Sequence, residues 1–144
     1  MRGFTLIEIM LVIALTLVVG FLVTAFSGRL IAQMAVHDAA GEFSSAFRKA
    51  EAYALSGRQH SAWGVHYADS NITLFKGDSY AEHDHSYDEV TTIDRQIAVT
   101  GFSEVIFSQP YGQPDQIIPQ VELRWDNLAL ADLSINAEGV VQKQ

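Results

Sequence analysis

The side chains with the most chemistry in this sequence crowd into one short stretch. His83-Asp84-His85 is flanked by Asp78, Glu82, Asp88 and Glu89. Imidazole nitrogens with carboxylate oxygens suit zinc, and carboxylates alone suit calcium. His83, His85 and Asp88 are the candidate ligands. Neighbouring residues in a loop seldom all converge on one ion, so a solvated acidic loop without a metal is the plainer expectation. The two histidines would make that surface sensitive to pH near neutrality. Ser, His and Asp occur elsewhere, but without a Gly-x-Ser-x-Gly elbow. There is no P-loop and no Gly-rich dinucleotide fingerprint. With no cysteine, disulfides, Cys-ligated metals and thiol catalysis are excluded. Asn71-Ile72-Thr73 is a formal glycosylation sequon on a predicted strand. Trp63, Trp125, Tyr67 and Tyr111 could line a ligand surface, but aromatic core packing accounts for them more simply. No catalytic constellation emerges, and neither enzymatic activity nor a cofactor is expected.

A second position stands out for its surroundings. Glu8 sits at the start of an apolar block, and Ile9 to Phe26 is a run of 18 residues without a charge. As a helix that run spans about 27 Å, close to the ~30 Å hydrocarbon thickness of a bilayer. In lipid the backbone must satisfy its own hydrogen bonds, so the segment is expected to be helical. Thr16 and Thr24 can bond back to helix carbonyls. A carboxylate near the membrane interior costs roughly 2.5 kcal/mol or more, which marks Glu8 as a functional candidate. A secretory signal peptide cut after Ala25 would leave Glu8 unexplained, as would a plain signal anchor.

The remaining elements follow from periodicity. Val36, Ala40, Phe43, Phe47, Ala50 and Ala54 recur every three or four residues, with Asp38, Glu42, Arg48 and Glu51 on other faces. Gly57 is a suitable stop. One helix from about Phe4 to Ser56 is therefore expected. Residues 4–28 form its transmembrane part, and residues 29–56 its amphipathic continuation. From residue 57 to 144 the period falls to two. Ser61–Ala68 and Asn71–Lys76 form a predicted hairpin around Asp69-Ser70. Thr91–Thr100, Glu104–Ser108, Val121–Trp125, Asp132–Asn136 and Val140–Gln142 are further predicted strands. Asn136-Ala137-Glu138-Gly139 reads as a turn. Asp78–Glu89 and the proline-bearing Pro110–Pro119 are predicted loops. The expected fold is α+β: a long amino-terminal helix packed on a carboxy-terminal antiparallel sheet or sandwich domain.

Gly3-Phe4-Thr5-Leu6-Ile7-Glu8, preceded by Arg2 and followed by the apolar run, resembles the prepilin cleavage motif of type IV pilins and type II secretion pseudopilins. The resemblance implies a leader of residues 1–3, peptidase cleavage between Gly3 and Phe4, and N-methylation of Phe4. It gives Glu8, five residues into the mature chain, a role in assembly. It also implies partners: other pilin subunits, the prepilin peptidase, an inner-membrane assembly platform, and lipid before assembly. The protein would be single-pass in the cytoplasmic membrane, with its globular domain outside the cytoplasm, and then part of a filament. Phe107-Ser108-Gln109-Pro110-Tyr111-Gly112, Val121-Glu122-Leu123, Leu133-Ser134-Ile135-Asn136 and Glu138-Gly139-Val140-Val141 are similar to the tail of the pseudopilin H family. Arg48-Lys49-Ala50-Glu51-Ala52 with Gly57-Arg58 is similar to that family's helix end. Residues 77–100 match poorly. Gly20 and Gly28 fall in the zone where pilin helices unwind on packing, although no proline precedes Pro110.

The net charge of −8, from 9 basic and 17 acidic residues, argues against a phosphate-binding surface. A DNA-capturing minor pilin is nonetheless the alternative. Its cations would be Arg48, Lys49, Arg58, Arg95 and Arg124.

Overall fold

The structure, a computed structural model, describes residues 4–126, 129–136 and 141–143; the side chains of residues 23–26, 119, 129 and 143 are not described. Helix α1 runs unbroken over Leu6–Leu55, about 75 Å at 1.5 Å per residue. It passes through Gly20 and Gly28 without interruption, and a side chain at either would meet nothing within 4 Å. The Thr16 hydroxyl donates to the Val12 carbonyl at 2.6 Å. Thr24 lies among the side chains not described. The helix stops where expected. Ser56 caps it, and Gly57 takes the left-handed conformation (φ 64°) that glycine enters without steric penalty.

The helix has two halves with different surroundings. Every large apolar side chain from Phe4 to Leu22 is exposed, as are Leu30 and Ile31. Among the described residues this is the one helix long and apolar enough to cross a membrane, with an 18-residue window of mean hydropathy 2.8. From Ala32 onward a buried stripe appears: Ala32, Val36, Ala39, Ala40, Phe43, Phe47, Ala50 and Ala54. The six residues of the expected face are all in it.

That stripe lies against two antiparallel sheets. The first contains β1 (Trp63–Ala68), β2 (Asn71–Lys76), β3 (Glu89–Thr92), β5 (Glu104–Ser108) and β6 (Gln113–Pro114), in the order β3-β2-β1-β5-β6. The second contains β4 (Ile97–Thr100), β7 (Ile118–Trp125), β8 (Ala129–Ile135) and β9 (Val141–Lys143), in the order β4-β7-β8-β9. The fold is α+β, as the periodicity implies.

Alternation assigns the faces. In the second sheet Val121, Leu123, Leu133 and Ile135 are buried, while Glu122 and Asp132, which oppose each other across β7 and β8, lie on the other face. In the first sheet Val65, Leu74 and Val105 share a row across β2, β1 and β5 and are buried with the helix stripe. Phe102, in the link between β4 and β5, sets its ring edge-on to Phe43 (5.9 Å) and Phe47 (5.3 Å). The β1–β2 hairpin turns through Asp69 (φ 50°) and Ser70 (φ 65°), the two positive dihedrals of a tight hairpin whose twist matches its strands.

Two expectations fail here. Thr91–Thr100 is not one strand. The chain leaves β3, buries Ile93, turns at Asp94, whose Oδ1 accepts from Gln96 N at 2.9 Å, and enters β4 in the other sheet. The turn is made by an Asx contact rather than by Gly or Pro, so composition does not reveal it. The segment Pro110–Pro119 is not all loop, since it holds β6 and the first residues of β7. Pro114 is tolerated because β6 is an edge strand. The remaining strands agree in place, with ends moved by a few residues. Residues 137–139, three of the four in the predicted last turn, and residue 140, the first of the predicted last strand, lie outside the described residues.

Candidate functional site

The amino-terminal motif is described from Phe4 onward; Gly3 lies outside the described residues. Phe4 is 79% exposed. Thr5 is the N-cap, with extended backbone (φ −82°, ψ 152°), and its carbonyl accepts from the amides of Glu8 (3.1 Å) and Ile9 (3.3 Å). Its hydroxyl makes no capping bond. Glu8 is the acidic residue of the first turn, where the helix dipole favours a carboxylate. It is exposed, and among the described residues no cation pairs with it.

The second site is built on the outer face of the first sheet, away from α1. Gly64 and His66 of β1 point outward there, opposite Phe75 and Thr73 of β2. The missing side chain of Gly64 makes room for the Phe75 ring: a Cβ at Gly64 would lie 2.4 Å from its Cζ and 2.9 Å from the Val105 carbonyl oxygen. The loop from Asp78 to Asp88 folds over this face. Tyr80 is sandwiched between His66 (centroids 3.7 Å, 12° between planes) and His83 (4.4 Å, 15°). Its amide donates to Glu104 Oε1 at 2.9 Å, which ties the loop to β5.

The loop's own backbone brings the candidate ligands together. His83 and Asp84 are extended, so His83 and His85 fall on the same side of the chain. A 3₁₀ turn over His85–Tyr87 follows, started by Asp84, whose Oδ1 accepts from Ser86 N at 3.1 Å. In a 3₁₀ turn residues three apart eclipse, which sets Asp88 beneath His85. The result is a compact triad. Asp88 Oδ2 lies 3.0 Å from His83 Nε2 and 3.2 Å from His85 Nδ1. All three ligand atoms fall within 4.8 Å of one another. The other four residues of the predicted cluster do not join. Asp84 turns toward Lys76 (3.8 Å), and Glu89 toward Lys49 and Tyr53 (3.2 and 3.1 Å). Asp78 and Glu82 are not in the group.

Burial is graded across the triad. The His83 side chain is 1% exposed, Asp88 18% and His85 82%. Burial alone would lower the pKa of His83. It is outweighed by the hydrogen bond to Asp88, by the Tyr80 carbonyl that accepts from Nδ1, and by the charges of Asp88 and Asp84, so the net shift is upward. His66 moves the other way, because burial outweighs the favourable charge of Glu104, and His83 adds to the lowering. Asp88 Oδ1 and His66 Nδ1 are buried and have no hydrogen-bond partner among the described residues.

Sequence reasoning named His83, His85 and Asp88 but not His66, Tyr80 or Glu104. Those three reach the loop only through strand register. Gly64 in a strand flanked by aromatics was the one available signal of a close approach. Of the aromatic group, Trp63 is buried, with its indole donating to the Arg58 carbonyl at 3.0 Å, whereas Tyr111 is 74% exposed. Of the cations required for DNA capture, Lys49 is paired with Glu89, Arg124 with Glu122, and Arg58 lies 4.0 Å over the Tyr53 ring.

Comparison of the chain with protein-family models, with curated proteins and with solved structures gave no match.

Proposed function

We propose that this protein is a structural subunit of a type IV pilus or type II secretion pseudopilus, processed between Gly3 and Phe4 and assembled through its amino-terminal helix. One observation carries the reading. A single unbroken helix presents bare apolar surface from Leu6 to Leu22, and again at Leu30 and Ile31, and then continues as the central element of a two-sheet domain. An exposed apolar surface of that extent needs lipid or other helices around it. A lone carboxylate one turn into the helix then needs a cationic partner from another chain. The Phe4 amine freed by cleavage supplies that charge, and a buried pair costs less than two isolated buried charges.

The test is intact mass and amino-terminal sequencing of the protein from its native membrane. A start at N-methylated Phe4 supports the proposal. A start at Phe26 makes the β domain a secreted module and removes the role given to Glu8. An uncut chain in a host with active prepilin peptidase leaves a plain anchor. The DNA-capture alternative draws on five cations, three of which already have partners within the chain. Salt-sensitive DNA binding by the purified protein would revive it.

A further inference from the structure

His83 offers the point of entry. Its Nδ1 faces the Tyr80 carbonyl, which can only accept, so Nδ1 carries a hydrogen. In the neutral ring Nε2 is then a bare lone pair, and it lies 3.0 Å from a carboxylate oxygen that also only accepts. Two acceptors held this close need an electrophile between them, either a proton or a metal ion. A histidine whose second nitrogen donates to a backbone carbonyl is the usual arrangement of a metal-bound imidazole, because that bond fixes the ring and its tautomer.

We propose that His83 Nε2, His85 Nδ1 and Asp88 Oδ2 form a three-ligand site for a zinc-class divalent ion, which fastens the 78–88 loop to the outer face of the first sheet. The spacing suits it. Bonds of ~2.0–2.1 Å in a tetrahedral site place ligand atoms ~3.3–3.4 Å apart. The two nitrogen-to-oxygen distances, 3.0 and 3.2 Å, need to open by only a few tenths of an ångström, and the two nitrogens, within 4.8 Å of each other, need to close by at most ~1.4 Å. Two imidazoles and one carboxylate match zinc and its neighbours, whereas calcium takes six to eight oxygens. The buried Asp88 Oδ1 has no hydrogen-bond partner among the described residues, so the carboxylate's charge is not fully met by protein donors. His85 is 82% exposed, so the fourth position opens to solvent and takes water. Lys76 is engaged by Asp84 and the Tyr87 ring and leaves the triad to the metal. The ligands come from six consecutive residues on a preformed turn, and Tyr80, stacked on His66 and bonded to Glu104, anchors that turn to the sheet.

The experiment uses the untagged full chain in detergent, stripped with chelator and then titrated with Zn²⁺ against a chromogenic competitor. Co²⁺ serves as an absorbing substitute. Binding of one Zn²⁺ per chain at micromolar concentration or tighter is expected, with Co²⁺ visible bands of low-coordinate intensity and a raised melting temperature. Ca²⁺ should compete at least 100-fold less well. His85→Ala and Asp88→Asn should each weaken Zn²⁺ at least ~10-fold, while His37→Ala leaves it unchanged. His85 is largely exposed, so its variant keeps the fold even if a His83 variant does not. Absence of stoichiometric binding, or binding that His85→Ala and Asp88→Asn leave intact, overturns the proposal.

Discussion

Placing a single methyl group at Gly64 tests the packing of the β domain. In Gly64→Ala the new Cβ falls 2.4 Å from Phe75 Cζ, 2.7 Å from Phe75 Cε1 and 2.9 Å from the Val105 carbonyl oxygen. Carbon atoms in contact prefer about 3.5–4.0 Å, so the ring must retreat by roughly 1 Å. It has little room to do so. Phe75 is fully buried, with the rings of Tyr80 and His83 packed against it at 5.4 and 5.3 Å between centroids. The Val105 oxygen is backbone of the paired strand and cannot rotate away. Overpacking of this kind costs about 1–3 kcal/mol, and the backbone contact places it near the upper end. Reduced freedom of the unfolded chain returns about 0.4–1 kcal/mol, leaving a net loss of about 2 kcal/mol. For a folded part of roughly 90 residues this lowers the melting temperature by about 10 °C. Thermal and urea unfolding in detergent, followed by the fluorescence of buried Trp63, gives the value. Phe75→Leu removes both ring atoms in conflict. Its combination with Gly64→Ala should therefore lose at least ~1 kcal/mol less than the sum of the two single changes. A Gly64→Ala loss under ~0.5 kcal/mol, or strict additivity in the double variant, would refute the close approach.

Other outcomes follow from the same structure. On the filament reading, Glu8→Val should leave membrane insertion unchanged and reduce incorporation into filaments, as read by fractionation and by shearing of assembled fibres; unchanged incorporation removes the assembly role. Phe47→Ala, at a position with no solvent exposure and with rings of Phe43 and Phe102 against it, should lose about 3–5 kcal/mol. In chelator-treated protein the raised pKa of His83 contributes stability that is full below the unfolded value of about 6.5 and is lost as pH rises through the folded pKa. The stability difference between the parent and His83→Gln should therefore shrink toward high pH. His66, with a lowered pKa, works in the opposite sense: it destabilises the fold as pH falls below about 6.5, so His66→Gln should relieve that loss on the acid side. Melting curves across that range check both slopes.

How far the sequence reaches depends on how local the cause is. Val36, Ala40, Phe43, Phe47, Ala50 and Ala54 were legible because a helix repeats over its own length. Ala32, four residues before Val36, and Ala39, three after it, extend the stripe at the same spacing beyond the expected face. The Asp69-Ser70 hairpin was legible from two alternating runs. The break at Asp94 was not, since Ile93 and Ile97 continue the apolar pattern through a turn made by a side chain. In the loop the ligand types were visible, but their convergence was not. It arises from an extended His83-Asp84 pair followed by one 3₁₀ turn, a choice that composition leaves open. His66, Tyr80 and Glu104 meet through pairing between strands distant in sequence, and no local pattern encodes that register.

On the filament reading, the two charges that bracket the apolar helix make the demands on Glu8 at insertion different from those at assembly. From Glu8 to Arg29 the helix rises about 31 Å, and a bilayer's hydrocarbon core is about 30 Å thick. A chain seated in the membrane can therefore hold Glu8 at one boundary and Arg29 at the other, each within reach of water and headgroups. The carboxylate is then close to solvated, and its removal changes insertion little. On the filament reading the balance shifts when the helix leaves the bilayer and enters a bundle. Glu8 then exchanges headgroups for neighbouring apolar helices, and an unpaired carboxylate becomes costly. Only an axial offset that brings a cationic amine alongside removes that cost, so the charge acts on the register of assembly and not on residence in the membrane. A Glu8→Gln chain, uncharged but still polar, should insert as the parent does and pack with a less sharply defined axial rise.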